Sequence, residues 1–250
     1  VRSRDDLFVA PLSMKRWLLI STAIVALAAI VAFAVIGVTI DISRWRDDLA
    51  ERASAAMGRP LRLDGALTLT LRRDATLHAD GVRILNPPGF ATPEFATLHS
   101  VRVRFDLLDA MRGRLHVHGI EASGGRLDLE RAVDGRANWI WPTAEARDRR
   151  PVGIGEVSLR DLAIGYQDGR AARRLRFDVD ELAGSIELDD PTSLALRGRT
   201  ADESRFVLKV TGGPARLLQE ANAQWPFALD FDFLEARFKT KGAIDVSKQE

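Results

Sequence analysis

No cysteine occurs anywhere in the chain, which excludes disulfides, thiol catalysis and cysteine-based zinc sites. It leaves the compartment open, since a cysteine-free protein is at home on either side of a membrane. An excess of charge of either sign is also lacking. The 36 basic residues nearly cancel 35 acidic ones, and the arginines are interspersed with Asp and Glu, so no stripe of one sign is offered to nucleic acid. The chemistry of common active sites is missing as well. No G-x-S-x-G, P-loop or H-E-x-x-H occurs, and Gly153-Ile154-Gly155 lacks the remainder of a dinucleotide fingerprint.

Histidine is scarce, at four residues. His116 and His118 stand at i and i+2 beside Leu115 and Val117, on the polar face of an alternating segment, and spacing places no third metal ligand near them. His78 and His99 stand alone and are expected at the surface. Carboxylates are plentiful but fall in turns or on polar strand faces, so no acid/base pair is marked. The expectation is a non-enzymatic protein with no cofactor, no metal and no nucleic-acid partner.

What is present begins with Trp17 to Ile40, "WLLISTAIVALAAIVAFAVIGVTI", an uncharged run of 24 residues. At about 1.5 Å per residue it is long enough as a helix to span a hydrocarbon core of about 30 Å. A cleaved signal peptide is the weaker reading, because Ala32-Phe33-Ala34 lies inside the run and the run exceeds an ordinary h-region. Lys15 and Arg16 at its N-terminal edge favour a cytoplasmic N-terminus and a body on the far side of the membrane. Met14, directly before them, is an alternative start.

A short helix is predicted over 41–59, with Asp41 or Ser43 as cap, Trp45, Leu49, Ala53 and Ala56 at helical spacing, and Gly58 and Pro60 at its end. From Pro60 onward the period changes to two. Leu61, Leu63, Leu67 and Leu69 share one face, as do Val101, Val103 and Phe105, and later Phe227, Leu229, Phe231 and Phe233. Most runs follow one another through short Gly- or Asp-containing connections. That pattern predicts antiparallel meanders with one apolar and one wet face. Short helical pieces are expected over Leu107–Met111 and from Pro214 to Ala221, and the polar, proline-containing stretch 141–155 reads as a linker or long loop. The organisation expected is therefore a cytoplasmic segment 1–16, a transmembrane helix 17–40, an amphipathic helix 41–59, a first β region 60–140, the linker 141–155 and a second β region 156–250.

One stretch resists the reading as a plain surface turn. In "ILNPPGF", Pro87 and Pro88 remove two backbone donors and stop a strand, and Asn86 and Gly89 suit a turn, yet a large apolar Phe90 follows. The stretch belongs to a series of motifs in fixed order: the apolar span, a short helix ending in Met57-Gly58-Arg59-Pro60, a strand with Asp64-Gly65, the N-P-P-G-F turn, a helix-to-strand junction "LLDAMRGRL", the strand "GGRLDL", and "DGRANW" at 134–139. This series resembles the amino-terminal region of the AsmA-like family of bacterial envelope proteins, and residues 151–245 resemble its continuing repeats more loosely.

The resemblance implies a mainly β fold: a curled antiparallel sheet forming a groove, apolar inside and polar outside, anchored in the inner membrane with its body in the periplasm. It also implies a part in phospholipid transport or outer-membrane assembly, with the inner membrane, phospholipid acyl chains and other envelope proteins as partners. The lipid-contact candidates are Leu61, Leu63, Leu67, Leu69, Val101, Val103, Phe105, Phe231 and Phe233, and Trp45 and Phe90 are candidates to close the ends of the groove. About 12 to 14 strands at about 4.8 Å make a groove of only about 60 to 65 Å, so the chain reads as a fragment or a short paralogue. Alternation alone equally allows a closed sandwich acting as an adaptor that recruits partners at a sheet edge.

Overall fold

The computed structural model describes residues 25, 37–72, 74–112, 116–140, 154–218, 220 and 222–246. Strand β1 (Val38–Asp41), a 3-10 turn (Ser43–Trp45) and helix α1 (Arg46–Met57) lead into β2 (Leu61–Leu63), β3 (Leu67–Leu71), β4 (Ala75–Leu85) and β5 (Glu94–Phe105). A short α2 (Leu107–Met111) precedes β6 (Val117–Arg131) and β7 (Gly155–Asp168). Then come β8 (Arg173–Ile186), β9 (Pro191–Thr200), β10 (Arg205–Pro214), a 3-10 turn (Ala215–Leu218), β11 (Ala223–Phe233) and β12 (Ala236–Val246). All twelve strands form one open sheet in the order β1-β3-β4 and onward to β12, with β2 paired to β4 beside β3.

Three expectations are corrected. Val38, Thr39 and Ile40 do not continue an apolar helix but pair with Leu71, Thr70 and Leu69. Gly37 adopts φ +75°, and a Cβ there would lie 2.8 Å from the Leu71 carbonyl oxygen, so glycine is what permits the chain to approach β3 this closely. The β-branched Val-Thr-Ile run then favours a strand. The remainder of the apolar run lies outside the described residues, except Val25, which is helical; among the described residues no helix is long and apolar enough to cross a membrane. Second, β6 and β7 pair in parallel, because the chain between Arg131 and Gly155 is long enough to return to the starting end of β6, which a short hairpin is not. Most of the 141–155 segment lies outside the described residues. Third, Pro214 ends β10 opposite Pro191, and the turn after it is 3-10 over Ala215–Leu218.

α1 ends at Gly58, which takes the left-handed conformation. Asp41 accepts the Ser43 N–H at 2.8 Å, whereas the Ser43 hydroxyl turns to β3 and accepts the Leu67 N–H at 3.1 Å. α2 forms where expected, capped by Asp106, which accepts the Asp109 N–H at 2.9 Å.

The Gly and Asp residues expected to make turns between short strands lie instead in the middle of long ones. Gly81 in β4 and Gly124 in β6 both stand opposite His99 of β5, with Asp161 of β7 next in line and Asp180 of β8 after it. Gly81, Gly124 and Asp161 have φ of +63°, +61° and +55°, and the β8–β9 register slips between Val179 and Glu181. These irregularities form a crease across five neighbouring strands. On crossing it, the apolar positions change parity: Leu77 and Ala79 are followed by Val82 and Ile84, and Val157 and Leu159 by Leu162, Ile164 and Tyr166. Without a slip of one residue, half of each strand would turn its apolar side chains to the wet face.

A Cβ on Gly124 would lie 2.4 Å from the His99 Nδ1, at a φ that L-residues rarely adopt. Gly124→Ala should therefore cost about 1 to 2 kcal/mol and lower the midpoint of thermal unfolding by several degrees. Gly165→Ala, where a Cβ would meet chiefly the Asp128 carboxylate oxygen, should change it much less.

Candidate functional site

The apolar face is continuous from β3 to β12 because register sets like against like. Leu69 faces Leu77, which faces Val103, which faces Ile120; further on, Leu182, Leu196, Leu208 and Phe231 stand in one row. The opposite face carries a ladder of ion pairs, including Arg104–Glu156 at 2.6 Å, Arg199–Asp180 at 3.2 Å and Arg197–Glu181. Pairs this exposed contribute little stability individually but keep that side wet.

The burial pattern belongs to a single layer. Among the described residues six of twelve buried apolar residues are alanines, and Leu67 and Asn138 are the only large side chains below 2% exposure. Most large side chains of the apolar face are half-buried, shielded by their neighbours in the sheet. The elements that pack closely on the sheet are α1, against β2, and the second 3-10 turn, against β10 and β11.

The candidates fall into two groups. Leu67, at 1% exposure, sits in a small core with Ile42, Ala79 and Val82, and Leu61, Leu63, Leu69, Val101 and the α1 residue Leu49 pack around it. Val103 and Phe105 lie beyond that core, half-buried. Phe231 and Phe233 stack at 6.0 Å, and Phe231 continues to Phe206 at 6.3 Å and to Phe238 at 6.4 Å, so the later strands present an aromatic band. Trp45 is 42% exposed, with the Arg44 guanidinium 4.0 Å from its ring; the α1 side chain that covers the apolar face is Leu49. Phe90 is half-buried beside the Arg136 guanidinium, 5.6 Å from its ring.

That contact belongs to a polar knot at one end of the sheet, which tracing apolar periodicity misses. Arg59, Glu130 and Asn138 are all buried, at 3%, 7% and 0% exposure. Asn86 closes the N-P-P-G-F loop by donating its side-chain amide to the Thr92 carbonyl at 2.9 Å and the Glu94 carbonyl at 3.2 Å. The loop is then tied to β6, because the Ala91 N–H is donated to the Glu130 carboxylate at 2.9 Å. Asn138 donates to the Asp128 carbonyl at 2.7 Å and to the Asn86 side chain at 3.2 Å, and accepts the Glu130 N–H at 2.8 Å. Arg59 donates to the carbonyls of Asn138 and Ile140, and burial pushes its guanidinium below the ordinary value. G-R-P, N-P-P-G-F and D-G-R-A-N-W, far apart in sequence, thus meet as one hydrogen-bonded unit. The sequence marks these residues only as polar groups in turn motifs, without indicating that they meet.

The histidine pair stands apart from this unit. The His116 and His118 rings lie 5.0 Å apart, and the His118 Nε2 is 4.0 Å from an Asp74 carboxylate oxygen. Among the described residues no group of three or more His, Cys, Asp or Glu is placed to hold a metal.

The profile of the AsmA family matches residues 14–182, more than half of the chain, and the chain belongs to that family. No curated protein matches it. The knot lies within the matched span.

Removing the Asn138 side chain leaves the Glu130 N–H and the Asp128 carbonyl short of buried partners, at about 1 to 3 kcal/mol for each such group. Asn138→Ala should therefore lower stability by about 3 kcal/mol, read as a shift in the urea midpoint. Asp134→Ala, in the exposed turn next to it, should cost less than about 1 kcal/mol.

Proposed function

We propose that this protein is a non-enzymatic, membrane-anchored member of the bacterial envelope whose apolar β-face shields phospholipid acyl chains, in phospholipid transport or outer-membrane assembly. On this reading the apolar run before Gly37 is the inner-membrane anchor, its N-terminus cytoplasmic and the sheet in the periplasm. The observation that carries the proposal is a twelve-stranded single layer with one continuous, half-buried apolar face. Soluble proteins rarely leave so large an apolar surface without an occupant, and a surface one layer deep and many strands long suits flexible hydrocarbon chains. Family membership supports the same envelope role. The adaptor reading calls for two facing sheets with interdigitated large side chains, and a single layer with half-buried leucines does not favour it.

The experiment is lipid extraction and native mass spectrometry of the full chain purified in gentle detergent. Phospholipid should accompany the wild type, and its repeated absence would overturn the proposal. Val103→Asp and Leu159→Asp place a carboxylate on the uncovered part of the face, where it can reach water, so these variants should stay folded while losing most of the bound lipid. Leu67→Asp buries the charge under Leu49 and Ile42 and should unfold the β1–β4 end, since an unpaired buried charge costs several kcal/mol. Arg62→Asp, on the wet face, should change neither property. A reporter fused at the C-terminal end should be active only in the periplasm.

A further inference from the structure

We propose that the apolar face ends, across β6, β7 and β8, in a seat for the phosphate of a lipid headgroup, built around Arg131 and Arg173. This rests on the acyl-chain reading of the face and adds the part of the lipid that this reading leaves unplaced.

The register defines the seat. Leu129, Tyr166 and Leu175 stand side by side as one apolar row on the three strands, and two residues further along, on the same side, stand Arg131, Asp168 and Arg173. Among the described residues of β6–β8, this is the row in which charge appears on the apolar side beyond the crease. The side-chain contacts agree with this placement. The Tyr166 hydroxyl reaches the Asp168 carboxylate at 3.4 Å, Trp139 packs 5.9 Å from the Tyr166 ring, and the Arg131 guanidinium lies 5.8 Å from the Trp139 ring. Hydrocarbon lying along the strands would therefore leave the apolar face between an aromatic pair and two guanidiniums.

The carboxylate between the arginines offsets one charge of the two and is engaged chiefly by its own hairpin. Asp168 accepts the Arg170 N–H at 2.9 Å and the Ala171 N–H at 3.2 Å. The Ala171 N–H, followed by that of Arg170, the Arg131 charge and the Tyr166 hydroxyl, holds its carboxyl below the ordinary range. Asp168 thus stays ionised and turned to its own hairpin. Arg173 is exposed, and among the described residues its side chain makes no ion pair or hydrogen bond. Most arginines of the wet face nearby are engaged, as in Arg126–Asp128 at 2.6 Å and Arg176–Asp178 at 3.2 Å. Arg131 and Arg173 are two strands apart, about 9 to 10 Å between backbones, which long side chains can bridge to hold one phosphate from both sides.

The test uses the full chain in nonionic detergent, offered equimolar dioleoylphosphatidylglycerol and dioleoylglycerol, which share acyl chains and differ in the phosphate. Retention is read by native mass spectrometry. The wild type should retain the phospholipid about tenfold over the neutral lipid, the size expected for one charge-assisted contact. Arg173→Gln should lose most of that preference while still binding dioleoylglycerol, Arg173→Lys should recover part of it, and Arg62→Gln should keep it in full. Equal retention of the two lipids by the wild type, or an unchanged preference in Arg173→Gln, overturns the seat and leaves the acyl-chain reading standing. If the wild type retains neither lipid, both fall. If millimolar inorganic phosphate abolishes the preference, the site takes soluble phosphate and the lipid assignment is overturned.

Discussion

A β-strand shows every second side chain to a given face, and a sheet one layer deep has only one apolar face to offer. Each strand must therefore keep its apolar residues in phase over its whole length, or surface area is lost from that face with every residue out of step. Strands of 10 to 15 residues, such as β6 and β9, are long enough for twist and local backbone demands to work against this. The crease through Gly81, Gly124 and Asp161 resolves the conflict by letting the phase slip once, at one height, in strand after strand. The slip must be shared. A bulge in β6 alone would put Leu127 and Leu129 on the side opposite their neighbours Ile164 and Tyr166. A row of bulges also bends and twists the sheet along its line, so the device that keeps the face apolar also shapes it.

With one layer there is little conventional core, and order at the sheet's margin has to come from elsewhere. At the β1–β4 end it comes from Leu49 and Ile42 laid over Leu67, Ala79 and Val82. At the β4–β6 end it comes from polar groups, because the strands finish there at different heights and leave backbone N–H and C=O groups without a neighbour. Asn138 takes the place beside β6 that β5 vacates, and Glu130 receives the loop between β4 and β5. A buried network of this kind tolerates few substitutions because each member satisfies several others. Substitution of Asn86, Asn138 or Arg59 therefore strands several partners at once, whereas exchange of one aliphatic residue for another on the apolar face does not.

Much of this was legible in the sequence, and what was not fails for identifiable reasons. Period-two alternation located the strands and their apolar side, and Gly58 and the N-P-P-G-F turn marked element ends correctly, because these depend on neighbours a few residues away. The Gly and Asp residues now found inside β4, β6 and β7 were read, with the rest, as connections between short runs. A bulge and a turn both ask for a residue tolerant of positive φ, and only the partner strands tell them apart. The parallel β6–β7 pair depends on where a long connection returns, and the strand at Val38–Asp41 depends on β3 lying beside it. For the site, the face was legible and the knot was not. Lone polar residues in turns carry no period, so Arg59, Glu130 and Asn138 become partners only once the sheet has formed.

The remaining consequence concerns stability. A face of half-buried leucines and phenylalanines is satisfied neither as a core nor as a wet surface, and in water it gains only part of the roughly 25 cal/mol per Å² that full burial gives. An apolar occupant would supply the remainder, and by mass action a ligand that binds the folded sheet alone stabilises it in proportion to the logarithm of its concentration over its Kd. On the proposed reading, folding and loading are therefore coupled. The β1–β4 end, covered by its own helix, would hold without lipid, whereas the strands from β5 to β12 would depend on it. That division follows from a single contrast on the same face: Leu67 is buried in a cluster that Leu49 packs against, and Leu159 is half-buried.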